Sequence, residues 1–203
     1  MERKPLFITG IGTDVGKTIV SAILVEKLKA DYWKPVQSGD LNNSDTMKVQ
    51  SFVSNTISKF HPEAYKLTQP YSPHKSASID GVVIDIYKFQ LPETTNQLII
   101  EGAGGLMVPL NNEHYVVDLI EKFGAEVVLV VKHYLGSINH TLLSLELLKQ
   151  KKIKVRALIF NGEEDEYSES IIKLSLNVPA YRVSFLNVID QESVQYAGNH
   201  IEL

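Results

Sequence analysis

Leu6-Phe7-Ile8-Thr9-Gly10-Ile11-Gly12-Thr13-Asp14-Val15-Gly16-Lys17-Thr18 joins a short apolar run to a glycine-punctuated loop that closes on Gly-Lys-Thr. Leu6 to Thr9 reads as a buried strand, and the spaced apolar residues of Thr18 to Lys29 read as a helix. A glycine loop between a strand and a helix is the setting of a phosphate-binding loop. Its N–H groups converge on phosphate oxygens, and the helix N-terminus adds partial positive charge. Lys17 would reach the β- and γ-phosphates, and Thr18 would ligate Mg2+. Gly10 and Gly16 enclose five residues, one more than the common spacing, and Ile11 stands where the common first glycine falls.

Further along, Leu98 to Glu101, Val127 to Lys132 and Val155 to Phe160 are compact runs of the kind that parallel strands show when both faces are covered. Tyr32 to Gln37 and Pro179 to Val183 are weaker strand candidates. Ser44 to Phe60 reads as a helix, as does Asn139 to Lys151 with Leu142, Leu145 and Leu148 turned inward. Strands alternating with helices predict an α/β protein. The expected architecture is a three-layer P-loop NTPase-like fold with a mostly parallel central sheet, with residues 1–203 as one domain. The acidic stretch Glu163 to Glu169 reads as a solvated loop and helix start.

Composition narrows the function classes. The net charge is −4 and no Lys/Arg stripe is present, so no nucleic acid is expected as a partner. No cysteine is available for a disulfide, a thiolate metal site or a nucleophile. Met1-Glu2-Arg3-Lys4 leads into an apolar run too short for a signal peptide, and no run reaches the length of a membrane span. The expected location is cytoplasmic, with no membrane partner.

A phosphate loop needs acidic partners, because Mg2+ takes oxygen ligands and usually one or two carboxylates. Glu101 ends an apolar strand ahead of Gly102-Ala103-Gly104-Gly105, and a carboxylate at a parallel strand's C-terminal end lies where such sheets bind ligands. Asp45, in Asn43-Ser44-Asp45, is the second candidate, and a helix-cap role would account for it equally. Lys34, in Trp33-Lys34-Pro35-Val36-Gln37-Ser38-Gly39, is open to two readings. It is an edge-strand lysine that deters aggregation, or a second cation beside the phosphates.

In order along the chain, the five-spaced loop, Lys34 to Gly39, Asn43-Ser44-Asp45, Glu101 to Gly105 and Leu135-Gly136-Ser137-Ile138-Asn139-His140 resemble the dethiobiotin synthase family. Ser72-Pro73-His74 is a weaker sixth match. These are ATP-dependent carboxylases of biotin synthesis. The resemblance implies that 7,8-diaminopelargonate, CO2 or bicarbonate, and ATP are the substrates, with Mg2+ as cofactor. Lys17 and Lys34 would be catalytic. Asp14, Val15, Gly16, Lys17, Thr18, Ile19, Asp45, Glu101, Gly102, Ala103, Gly104, Asn161, Phe185 and Leu186 would bind the nucleotide. Thr18, Asp45 and Glu101 would hold the metal. Thr13 and Ser38 would touch the diamine or its carbamate. Gly136 to Asn139, with Tyr167, would reach the substrate carboxylate in a homodimer whose active sites lie near the interface.

The chain departs from the family pattern at several places. Lys29-Ala30-Asp31-Tyr32 leaves little room for a turn, Asp14 replaces a familiar Glu, Gly162 follows Asn161 where Asp is frequent, and Ser184 replaces a proline. Two rivals are weighed. P-loop ATPase switches of the partitioning or positioning type carry a second lysine early in the loop, where Gly12 stands here, and often end in a basic membrane helix, unlike Asn199 to Leu203. Amide-forming ligases of the same superfamily normally need a cysteine glutaminase, for which this chain has no cysteine.

Overall fold

The computed structural model describes residues 4–175 and 177–203; Met1 to Arg3 of the opening segment lie outside the described residues. The first half contains β1 (Leu6–Gly10), α1 (Lys17–Leu28), β2 (Asp31–Trp33), β3 (Val36–Ser38), α2 (Asp45–Phe52), β4 (Phe60–His61), β5 (Tyr65–Leu67) and α3 (Pro73–Ile79). The second contains β6 (Leu98–Gly105), α4 (Val116–Phe123), β7 (Glu126–Val131), α5 (Ser137–Gln150), β8 (Val155–Asn161), α6 (Glu166–Leu174), β9 (Ala180–Val183) and α7 (Gln191–Gly198).

Seven strands form one sheet in the order β4-β2-β6-β1-β7-β8-β9, with every neighbouring pair parallel. β1 and Val127 to Val131 of β7 are buried, as strands covered on both faces must be. The chain moves one way along the sheet from β1 to β2 and the other way from β6 through β7 and β8 to β9. Right-handed crossovers therefore put α1 on one face and α4, α5 and α6 on the other. α7 returns to pack on α1. This is the expected three-layer α/β arrangement. The order reverses direction at β1, so the phosphate loop leaves the sheet at its switch point, where open α/β sheets bind ligands. Among the described residues no helix is long and apolar enough to cross a membrane.

The tight passage from α1 to β2 is solved by Lys29. It adopts a left-handed conformation (φ 50°), and its N–H bonds to the Val25 carbonyl, so the helix ends without a longer loop. Four expectations need correction. Tyr32 to Gln37 is two strands, because Pro35 cannot donate to a ladder; β3 pairs instead with β5 in a small second sheet. The helix expected over Ser44 to Phe60 stops at Phe52. There Glu26, reaching over from α1, accepts the N–H groups of Ser54 and Asn55, and Asn55 Oδ1 accepts those of Ile57 and Ser58. Side-chain acceptors thus take the donors that a continuing helix would use. Glu163 and Glu164 are solvated as expected, but Glu169 is buried, held by His133, Lys173 and Arg182. In α5, Leu148 is fully buried, whereas Leu142 and Leu145 are only half-buried.

Candidate active site

The phosphate loop is shaped by residues with unusual backbone angles. Asp14 has φ 57° and Gly16 has φ 96°, the latter at the position that caps α1. A Cβ at Gly16 would fall 2.0 Å from Asn161 Nδ2. That amide donates to the Val15 carbonyl at 2.9 Å, tying the end of β8 to the loop. Lys17 folds back over the loop and donates to the Gly12 carbonyl at 2.9 Å. Burial, the largest influence, lowers its pKa to about 8, with Lys34 acting the same way and Glu101 opposing.

The charged centre lies between the loop, the end of β2 and the middle of β6, where Glu101 sits: the strand expected to end at Glu101 runs on to Gly105, paired with Gly10 of β1. Lys34 is 5% exposed, which rules out the edge-strand reading. Its ammonium lies 2.9 Å from Asp45 Oδ2 and 3.1 Å from Glu101 Oε1. Burial alone would lower its pKa, but Glu101 and Asp45 outweigh burial and raise it above the usual lysine value. Burial would likewise raise Asp45, and Lys34 and Lys48 reverse the direction, holding it below the usual carboxylate range. Glu101 Oε1 also accepts from the Thr18 hydroxyl at 3.0 Å.

Three residues that the sequence reading passed over complete this centre. Tyr32, fully buried, donates to Glu101 Oε2 at 2.9 Å. Gln37 spans the gap between β3 and α2: its Nε2 donates to the Gly39 carbonyl, and its Oε1 accepts the Asp45 N–H. Lys48, one turn into α2, stands 3.6 Å from Asp45 Oδ1. Tyr32 and Lys34 share the period-2 face of one extended segment, a signal that could have linked them.

Two clefts open above the sheet. One, about 820 Å3, is lined by Thr13, Lys17, Lys34, Ser38, Asp45 and Glu101, among others. The Ser38 hydroxyl there is buried without a hydrogen-bond partner. The other, about 1290 Å3, takes in Gly136 to Asn139, Asn161, Phe185 and Leu186. Ile19 and Ile189 border both. Gly102 faces away from the clefts, since a Cβ there would press on the Phe7 ring at 2.7 Å. Tyr167 is 88% exposed on α6 and lines neither cleft.

The donors suit a hard cation. Thr18, Asp45 and Glu101 offer only oxygen, the chemistry that Mg2+ prefers. Among the described residues no three acidic or histidine side chains form a closed cage.

Residues 4–191 match the family described as AAA domain. The chain is 56% identical over 170 residues to the ATP-dependent dethiobiotin synthetase BioD of Christiangramia forsetii, covering 84% of this chain and 82% of that one. It is 50% identical over 192 residues to the enzyme of the same name from Cytophaga hutchinsonii, covering 94% and 91%. The chain belongs to the ATP-dependent dethiobiotin synthetase family. Among solved structures, the septum site-determining protein MinD of Pyrococcus horikoshii, complexed with Mg-ADP, matches with a TM-score of 0.53 at 13% identity, covering 97% of this chain and 86% of that one. A ParA family ATPase from Chlorobium tepidum matches with a TM-score of 0.51 at 11% identity, covering 98% and 100%. At such identities the likeness is one of fold. In this member of the synthetase family, Gly162 has φ 103°, a conformation that an Asp would strain to adopt.

Proposed function

We propose that this chain joins CO2 to 7,8-diaminopelargonate at the expense of ATP, giving dethiobiotin, ADP and phosphate. The reading is carried by the convergence of Lys17, Thr18, Lys34, Asp45 and Glu101 on one cleft at the switch point of the sheet. Membership of the synthetase family supports the substrates.

The reaction has three stages. One amine of the substrate attacks CO2, forming an N–C bond and losing a proton, to give a carbamate. A carbamate oxygen attacks the γ-phosphorus of ATP, the bond to the β-phosphate oxygen breaks, and ADP leaves. The second amine attacks the carbonyl carbon of the mixed anhydride, the bond to the phosphate oxygen breaks, and a cyclic urea and free phosphate result.

An anion attacking a triphosphate needs dense positive charge in a partly desolvated place. Lys34 keeps its proton because of its two carboxylates, and its burial keeps the charge unscreened. Lys17, with a pKa of about 8, regains proton affinity as phosphates approach. Thr18, Asp45 and Glu101 would hold Mg2+, which neutralises phosphate charge when bound. Ser38, with its partnerless hydroxyl, and Thr13 at the rim would hold the diamine or its carbamate. Asn161, Phe185 and Leu186 would line the nucleotide base site.

At the start of α5 the N–H of Ser137 is taken by the Tyr134 carbonyl, while those of Gly136, Ile138 and Asn139 have no backbone acceptor among the described residues, a natural seat for a carboxylate. Leu135 just before α5, Leu143 on α5, and Tyr167 and Leu174 on α6 are exposed apolar side chains, which supports pairing with a second copy. In that dimer, Gly136 to Asn139 and Tyr167 would serve the neighbour's substrate.

Phosphate release tests the reading. It should require both the diamine and bicarbonate and no protein partner. Release that ignores both small molecules and rises with a partner protein would instead favour a partitioning-type switch.

A further inference from the structure

Tyr32 stands on β2 directly beside β6, paired in register with Ile99, and has no exposed surface. It lies behind Glu101 and is absent from the cleft walls. Its hydroxyl donates to Glu101 Oε2 at 2.9 Å. The other oxygen, Oε1, is the one that meets Thr18 and Lys34 on the cleft side. The two oxygens of one carboxylate are thus divided between an inner donor and the cleft.

That division has a physical consequence. The last torsion of a glutamate is broad and roughly two-fold, so a lone carboxylate swivels easily. A donor on a rigid, packed ring removes that freedom. A phenol is also neutral, so it holds the carboxylate without cancelling its charge, as an arginine there would. The full negative charge stays available on the cleft side.

We propose that Tyr32 is a positioning residue, whose hydroxyl fixes Glu101 so that Oε1 faces the cation accompanying the nucleotide. The proposal rests on the reading of Glu101 as a cation ligand. Partners that orient a metal's ligands typically change metal affinity by about 10- to 100-fold when lost.

Mn2+ titrated into the protein with saturating ADP, and read as free Mn2+ by electron paramagnetic resonance, tests it. Tyr32→Phe should weaken Mn2+ binding about tenfold, with metal-free ADP binding unchanged and kcat recovering at high Mg2+. Wild-type Mn2+ affinity in Tyr32→Phe would overturn the proposal. So would equal losses of Mn2+ and metal-free ADP binding, which indicate general damage. Glu101→Gln separates the two layers. If it also binds Mn2+ normally, the ligand reading itself fails; if it alone weakens, only the role of Tyr32 falls. Should Tyr32→Phe not fold, 4-aminophenylalanine at position 32 keeps a donor, and 4-methylphenylalanine fills the space without one. Tight Mn2+ binding in the first and weak binding in the second is expected, and equal affinities would overturn the proposal.

Discussion

Lys34 is a cation with almost no water around it, kept charged by Asp45 and Glu101. Such a group costs free energy to bury, and it stays charged because two carboxylates face it. In the proposed reaction, removing its charge would deprive the attacking carbamate of a positive partner. Lys34→Gln and Lys17→Gln should each lower kcat by about 100-fold or more, measured by steady-state turnover. Calorimetry should show ATP binding little changed in Lys34→Gln. Normal kcat with altered thermal stability alone would contradict the role given to Lys34. The sequence left Lys34 divided between two roles, because a lysine in a short apolar segment looks the same in either. Only the fold, which sets β2 beside β6, reveals the carboxylates against it. Lys17, Thr18 and Glu101 were legible because the loop and a carboxylate between an apolar run and Gly-Ala-Gly-Gly are local patterns, although β6 continues past Glu101 to Gly105. Tyr32 was not, since Glu101 lies in another strand, nor was the tie from Gln37 to the Asp45 N–H, which only the fold of the intervening loop brings about.

At the scale of elements, α1 and the end of α2 are joined through Glu26. Its carboxylate is buried and accepts from Lys29, from the N–H groups of Ser54 and Asn55, and from the Asn55 side chain. Burial alone would raise its pKa, but these donors prevail and bring it to about 2. The unfolded value of 4.5 is higher, so the carboxylate adds stability that is complete above that pH and is lost as pH falls towards 2. A shift of this size corresponds to about 3 kcal/mol. Glu26→Gln should therefore lower stability at neutral pH by a sizeable part of that amount and flatten the acid limb between pH 5 and 2. Urea unfolding at a series of pH values checks this, and an unchanged acid limb would contradict it. This junction also marks a limit of reading helices from sequence. The principal strands and the main helices follow from apolar patterning. The early end of α2 follows from a distant glutamate that capped its donors, and no local pattern carries that. Lys29 is similar: a short α1–β2 connection was visible, but the left-handed residue that makes it possible was not.

At the scale of the molecule, the central proposal is a site shared between two chains. Gly136 to Asn139 border the larger cleft, while Lys34 and Glu101 line the smaller. Asn139→Asp should weaken diamine binding and spare ATP, whereas Lys34→Gln disables only its own site. When the two defective proteins exchange subunits, each mixed dimer gathers both lesions in one site and leaves the other intact. Random exchange makes about half the dimers mixed, so about a quarter of wild-type activity should return. A site contained in one chain predicts none. The ordered motifs suggest the sharing only as a resemblance, and the exposure of Leu143, Tyr167 and Leu174 on α5 and α6 needed the structure. The reaction itself is tested most directly by product. Purified protein is given ATP, Mg2+, 7,8-diaminopelargonate and 13C-labelled bicarbonate, and dethiobiotin is sought by mass spectrometry. The account predicts dethiobiotin one mass unit heavy, one ADP formed for each, and product falling about 100-fold in Lys34→Gln. ATP hydrolysis without labelled dethiobiotin, or unlabelled product from the same mixture, would contradict it.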